Sequence, residues 1–210
     1  MAVCIVVCMI VGYLFGCIQT GYIVGRVNKI DIRDYGSGNS GTTNTLRTLG
    51  KTAAIITFLG DAVKGLVAVN LARYVIMPAF HVEGEAYLWL LTGFAVVLGH
   101  NFPFYLGFKG GKGIAVSFGS LLGLIPMWYP VLSLAVCFLF FSLVIQISPN
   151  FYRTVAVYIV NWLIIVFSET NLPKAVHIGV GLISLLILLK MHMSQEEREK
   201  MTFQLLWIKR

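Results

Sequence analysis

The chain has 210 residues, 58% hydrophobic and 12% charged, with a formal net charge of +7 and a mean hydropathy of +0.82. Soluble globular domains are about 45–50% apolar and about 25% charged, so the composition excludes an ordinary soluble domain and points to a polytopic membrane protein. The basic excess comes without an aromatic-basic surface motif, so no nucleic-acid partner is expected. Loops beside anionic lipid headgroups and a phosphate-binding role account for it.

The first residues, Met-Ala-Val-Cys, carry no positive charge, and the apolar run continues to about Val24. That is too long for a signal-peptide core, so it is expected to be a first membrane helix and not a cleaved leader. A spanning helix needs roughly 17–25 mostly apolar residues. Seven candidates stand out, at about 2–25, 52–78, 86–100, 111–127, 129–147, 154–170 and 174–193, the third and fourth of them short and interrupted by glycine. Gly12/Gly16, Gly21/Gly25 and Gly119/Gly123 give small-xxx-small faces for close helix packing in lipid. Cys4, Cys8, Cys17 and Cys137 lie in apolar runs without C-x-x-C spacing, which predicts small buried hydrophobes and neither a metal site nor a disulfide.

The loops after helices 1, 3 and 5 and the tail hold Arg26, Lys29, Arg33, Arg47, Lys51, Lys109, Lys112, Arg153, Lys190, Arg198, Lys200, Lys209 and Arg210. The opposite loops hold only Lys174. The positive-inside rule then predicts an all-α protein of seven transmembrane helices, with the N-terminus outside and the C-terminus cytoplasmic. Residues 1–193 form the membrane domain on this reading. Residues 194–210 form a cytoplasmic amphipathic tail, a short interfacial helix opened by Ser194 and Glu197 in capping-box spacing.

Two polar islands interrupt the apolar pattern. The first, Tyr35–Gly50, reads Y-G-S-G-N-S-G-T-T-N-T-L-R-T-L-G. Gly36, Gly38 and Gly41 permit tight turns and close approach to a ligand. Ser37, Asn39, Thr43 and Asn44 supply polar donors, and Arg47 adds a cationic fork for an oxyanion. No carboxylate lies between Asp34 and Asp61. The second island, from Gly99, reads G-H-N-F-P-F-Y-L-G-F-K-G-G-K-G-I-A. Its proline and glycines are incompatible with a lipid-facing helix. Lys109 and Lys112 flank Gly110–Gly111, and the helix expected after Gly113 adds its positive dipole end. It is not a nucleotide P-loop, because Leu106 and Gly113 occupy the positions that would need Gly and Ser or Thr.

Asp61 and Lys64 share one face of helix 2, and intramembrane charges pair or line a polar cavity. The residues allow either a neutralising salt bridge or a Lys64 turned towards a substrate phosphate. His100, at the mouth of the second island, is a candidate acid, base or hydrogen-bond donor. His192 and Arg198 are candidates to face the same cavity. There is no His-x-x-x-His, no intramembrane acidic cluster and no nucleophile elbow, so neither metal nor cofactor is expected. A site of this kind works by positioning and electrostatic stabilisation. Two phosphate-sized cradles fit a reaction between two phosphorylated molecules, one of them lipidic, or a transporter of a phosphorylated compound.

Gly36–Arg47, D-A-V-K-G (Asp61–Gly65) and Gly99–Ala115 together closely resemble the bacterial acyl-phosphate-dependent glycerol-3-phosphate acyltransferases, the PlsY type. The resemblance implies a bacterial plasma-membrane enzyme with a cytoplasmic site. It would move a fatty acyl group from acyl-phosphate to the sn-1 hydroxyl of glycerol-3-phosphate, giving lysophosphatidic acid and phosphate. The partners implied are those two substrates and membrane lipid, with the oligomeric state left open. Carried over by position, Ser37, Arg47, His100, Lys109, Lys112 and His192 would be catalytic. Gly36, Gly38, Asn39, Gly41, Thr43, Asn44, Lys64, Gly110, Gly111, Gly113 and Arg198 would bind substrate phosphate. A substrate phosphate would take the hydroxyl proton. In the C-terminal motif His192 and Arg198 fit, but Gln195 stands for Asn and Thr202-Phe203-Gln204 for Gly-Thr-Glu, so a catalytically altered paralogue is the alternative expectation.

Overall fold

A computed structural model describes residues 1–82, 86–168, 172–194 and 201–205. The described chain is mostly helical and divides into two compact units, Met1–Pro126 and Met127–Arg210.

In the first unit, α1 (Ala2–Cys17) and α2 (Thr20–Val27) replace the single helix expected over 2–25. Ile18 and Gln19 between them are extended. Such a break at membrane depth survives because its freed polar groups are satisfied. The Gln19 side-chain amide donates to Gly16 O, and Lys64 Nζ donates to Ile18 O at 2.5 Å. After a polar loop come α3 (Thr42–Leu49) and α4 (Lys51–Leu71). A π-helical stretch, Ala72–Ile76, carries the chain into α5 (Met77–Ala79). Then follow α6 (Ala86–Asn101) and α7 (Ile114–Leu122).

Small residues set this packing. A Cβ on Gly16 would run into the Val96 carbonyl, and one on Gly99 into the Tyr13 carbonyl, so α1 and α6 meet backbone to backbone. A Cβ on Gly119 would strike Ala62 O, and one on Gly65 would lie 2.6 Å from Val116 O, so α4 and α7 do the same. Of the expected pairs, Gly12/Gly16 packs on α6 and Gly119/Gly123 on α4, whereas Gly21/Gly25 packs on Ser40, Ile30 and Ile32 of the polar loop. Cys4 and Cys8 pack with Ala72, Ile76, Met77, Val82 and Leu88, and all four cysteines are free and buried, as small hydrophobes.

The second unit holds α8 (Tyr129–Leu139), a π-helical stretch Phe140–Val144, β1 (Ile145–Ser148), α9 (Asn150–Phe167), α10 (Lys174–Met193) and β2 (Thr202–Leu205). Ser133 donates to Asn161 Oδ1 at 2.8 Å, tying α8 to α9. The strands β1 and β2 pair antiparallel, with Ile145 opposite Leu205 and Ser148 opposite Thr202. This corrects two expectations. The helix expected over 129–147 ends in a strand, and residues 202–205 form a strand instead of part of an amphipathic helix. Their backbone groups are paired across this ladder.

Among the described residues, five helical stretches are long and apolar enough to cross a membrane: Ala2–Val27, Lys51–Ala79, Leu88–Leu106, Asn150–Phe167 and Lys174–Met193. The expected segment 111–127 is helical over nine residues only, and the apolar helix Tyr129–Val144 is shorter than these five.

Candidate active site

The first polar island is folded around one side chain. Asn44, fully buried, donates from Nδ2 to Ile32 O, Tyr35 O and Asn39 O at 2.8–3.0 Å, and its Oδ1 accepts from Ser37 N at 2.9 Å. Gly36 (φ 56°) and Gly38 (φ 67°) make the left-handed turns that wrap the loop around it. Asn39 donates to Ser37 Oγ at 2.9 Å and accepts from Gly41 N at 3.0 Å. Gly41 caps α3, which places Thr42 and Thr43 at a helix N-terminus with its positive dipole end. Thr43 and Arg47 are exposed on α3, and Ser37 is half-buried.

Asp31 anchors the entrance to this loop. Arg33 donates to both of its carboxylate oxygens, from Nε at 2.9 Å and from Nη2 at 2.7 Å, and Arg26 lies 3.5 Å away. The Arg33 hydrogen bonds pull the carboxyl down to about 2 from an ordinary 3.8. Arg26 and Arg33 also flank the Tyr22 ring at 5.0 and 5.1 Å.

The second island leaves α6 at Asn101, makes a 3-10 turn over Phe104–Leu106, and runs without helix or strand from Lys109 to Gly113, which is left-handed (φ 84°) and opens α7. Lys109 is exposed, Lys112 is half-buried, and Gly110, Gly111 and Gly113 are buried. The three glycines are needed for lack of room. A Cβ at Gly110 would collide with His100 O, one at Gly111 with the His100 ring at Nε2, and one at Gly113 would lie 2.7 Å from Asn101 Oδ1.

Under the loops lies a buried polar cluster that sequence spacing only half revealed. Asp61 and Lys64 form the expected pair at 2.9 Å, and Lys64 Nζ is also 2.8 Å from His100 Nδ1. Ile18 O is a third neighbour of the ammonium, at 2.5 Å. If Lys64 is charged, its ammonium donates and His100 Nδ1 accepts, which places the ring proton on Nε2, on the side of Gly111. In this arrangement His100 Nδ1 is engaged by Lys64, and the Nε2 edge of the ring faces Gly111.

The structure brings the two islands together. Gln19, fully buried, donates from Nε2 to His100 O at 3.0 Å and accepts on Oε1 from Ser40 Oγ at 2.6 Å. Arg33 Nη1 reaches Leu106 O at 3.1 Å, making a second link. Neither Gln19 nor Arg33 is among the residues singled out from sequence. The available signal was a lone amide in a long apolar run, which is costly unless hydrogen-bonded. His192 is exposed at the end of α10 in the second unit. Arg198 lies outside the described residues. Among the described residues, no group of three or more His, Cys, Asp or Glu is placed to hold a metal ion.

Comparison with known proteins gives this geometry a context. Glycerol-3-phosphate acyltransferases of Streptococcus thermophilus (strain ATCC BAA-491 / LMD-9) and Clostridioides difficile (strain 630) are each 45% identical, over 131 and 148 residues. These matches cover 62% and 68% of this chain. The chain spans 58% of the length of the first relative and 67% of the second. The fold is similar to the crystal structure of PlsY (YgiH), an integral membrane glycerol 3-phosphate acyltransferase, in its glycerol 3-phosphate form. The TM-score is 0.73 and the identity 28%, with 90% of this chain and 88% of that one covered. The apolar helices and this likeness identify a membrane protein. Residues 6–200 match the family model described as glycerol-3-phosphate acyltransferase, and the chain belongs to that family.

Proposed function

We propose that this protein transfers a fatty acyl group from acyl-phosphate to the sn-1 hydroxyl of glycerol-3-phosphate. The hydroxyl oxygen attacks the acyl carbonyl carbon, the bond from that carbon to the phosphate oxygen breaks, and inorganic phosphate leaves with the electron pair. The hydroxyl proton passes to a phosphate oxygen of bound substrate, so no side-chain base is required. The product is lysophosphatidic acid. The observation that carries this reading is the meeting of two glycine-rich, basic loops through Gln19 and Arg33. One phosphorylated substrate can be held at each loop.

In this reading Ser37 and Arg47 bind one phosphate, on a loop shaped by Gly36, Gly38, Asn39, Gly41, Thr43 and Asn44. Lys109 and Lys112, with the Gly110–Gly113 backbone and the His100 Nε2 proton, neutralise charge on the acyl-phosphate and on the departing phosphate. Lys64 supports His100 instead of binding phosphate. His192 and Arg198 are assigned catalytic and phosphate-binding roles on the strength of the C-terminal motif alone. The similar PlsY structure carries glycerol 3-phosphate in one form and lysophosphatidic acid in another, which supports the acceptor and the product. Seven passes through a bacterial plasma membrane, with the N-terminus outside and the loops facing the cytoplasm, complete the proposal.

The test is a donor comparison on purified protein in lipid, with glycerol-3-phosphate and either palmitoyl-phosphate or palmitoyl-CoA. Lysophosphatidic acid from the acyl-phosphate is expected. None from that donor overturns the enzyme reading, and product from the CoA thioester alone overturns the donor assignment.

A further inference from the structure

We propose that Gln19 is the positioning residue that fixes the two glycine-rich loops relative to each other, and so the alignment of the two substrates. This rests on the reaction proposed above. Gln19 sits in the break between α1 and α2, with none of its surface exposed. Its side-chain amide bonds to three different segments. Its Nε2 donates to Gly16 O in α1 at 3.2 Å and to His100 O at 3.0 Å, while its Oε1 accepts from Ser40 Oγ at 2.6 Å. Ser40 is itself buried, between Asn39 and Gly41 of the first loop.

The neighbouring backbone leaves little slack. A Cβ on Gly21 would run into Ser40 O, so α2 abuts the first loop directly. On the other side, a Cβ on Gly110 would run into the same His100 carbonyl that Gln19 holds. The amide therefore measures the separation from loop one, at Ser40, to loop two, at the His100–Gly110 contact. The second link, Arg33 to Leu106 O, comes from a half-buried side chain at the loop margin and constrains the separation less.

A reaction between two bound molecules depends steeply on such a separation, since a misplacement of about 1 Å costs on the order of a hundredfold in rate. A loosened pair of loops would still bind each phosphate. The acyl-phosphate would then stand away from the acceptor hydroxyl, and water would capture more of it.

Two readouts on Gln19→Met, which keeps the volume and removes the hydrogen bonds, test this. The first is the distance distribution, by electron spin resonance, between spin labels at Leu46→Cys, exposed on α3 after the first loop, and Phe108→Cys, exposed in the second. The native cysteines are buried. The second is the ratio of free fatty acid to lysophosphatidic acid formed from acyl-phosphate, which does not depend on the amount of folded protein. The expected result is a broadened distance distribution, transfer reduced at least tenfold, and a raised hydrolysis share. An unchanged distance, or an unchanged ratio in protein that turns over, overturns the proposal. If the unsubstituted protein does not transfer from acyl-phosphate, the reaction reading fails, and the label distances still decide whether Gln19 fixes the loops. Should Gln19→Met not fold, Ser40→Ala removes one of the three bonds, and the same two readouts decide.

Discussion

Lys64 Nζ lies 2.8 Å from His100 Nδ1 and 2.9 Å from Asp61 Oδ1, and the three residues are at most 5% exposed. A lysine so enclosed holds a histidine in one tautomer and neutralises a carboxylate at the same time. Removing it strands Asp61. Lys64→Met is therefore expected to destabilise the protein by about 3–5 kcal/mol, the cost of breaking one side of a buried pair. Thermal unfolding in detergent measures this, and Asp61→Asn added to Lys64→Met should restore part of the loss. A single variant that melts like the unsubstituted protein would show that the pair does not stabilise the fold.

Arg47 and Lys112 occupy different loops, yet the proposed mechanism needs both. Arg47→Ala and Lys112→Ala should each lower turnover by at least about tenfold, since a charge-assisted hydrogen bond contributes about 1.5–3 kcal/mol. Steady-state kinetics with both substrates varied makes the check. A near-normal rate in either variant removes that residue from the site.

The two loops were legible in the sequence because they break an apolar pattern with glycine, amide and cationic residues. Asp61 and Lys64 were legible as a pair because three residues along a helix bring side chains to one face. What joins them was not. Gln19 reaches residues 21 and 81 positions away, and no periodicity of the first apolar run encodes those partners. The break at Ile18 was hidden for the same reason, because its carbonyl is satisfied by Lys64 from 46 positions on. The pairing of Ile145–Ser148 with Thr202–Leu205 was missed because Met201, Leu205 and Ile208 also fit a helical face. A short apolar segment reads equally as strand or helix until its partner is known.

Asp31 gives the fold a pH dependence of predictable sign. Its carboxyl is held at about 2, against 3.8 ordinarily, chiefly by the Arg33 hydrogen bonds. The unfolded chain then binds the proton more readily than the folded one. The stabilisation is fully present above the unfolded value and is lost as pH falls through the window from 3.8 to about 2. The stability difference between the unsubstituted protein and Asp31→Asn should be flat above that window and shrink within it. Denaturant titrations at a series of pH values provide the measurement, and a difference that stays constant down to the lower limit would contradict the assignment.

Gly107 and Gly111 separate two reasons for a glycine in the same loop. Gly107 has φ 62°, and a Cβ added there would meet nothing within 4 Å, so its constraint is conformational alone. Gly111 has no positive φ, but a Cβ there would overlap His100 Nε2 and lie 2.8 Å from Cε1. Gly107→Ala should therefore cost about 1–2 kcal/mol of stability, the left-handed penalty, and leave turnover within about twofold. Gly111→Ala must push the His100 ring off its seat against Lys64, and should reduce turnover at least about tenfold, the effect of roughly 1.4 kcal/mol or more in the barrier. Paired thermal melts and rate measurements on the two variants distinguish the cases. Equal losses of rate in both would mean that the loop responds to backbone strain and not to the position of His100.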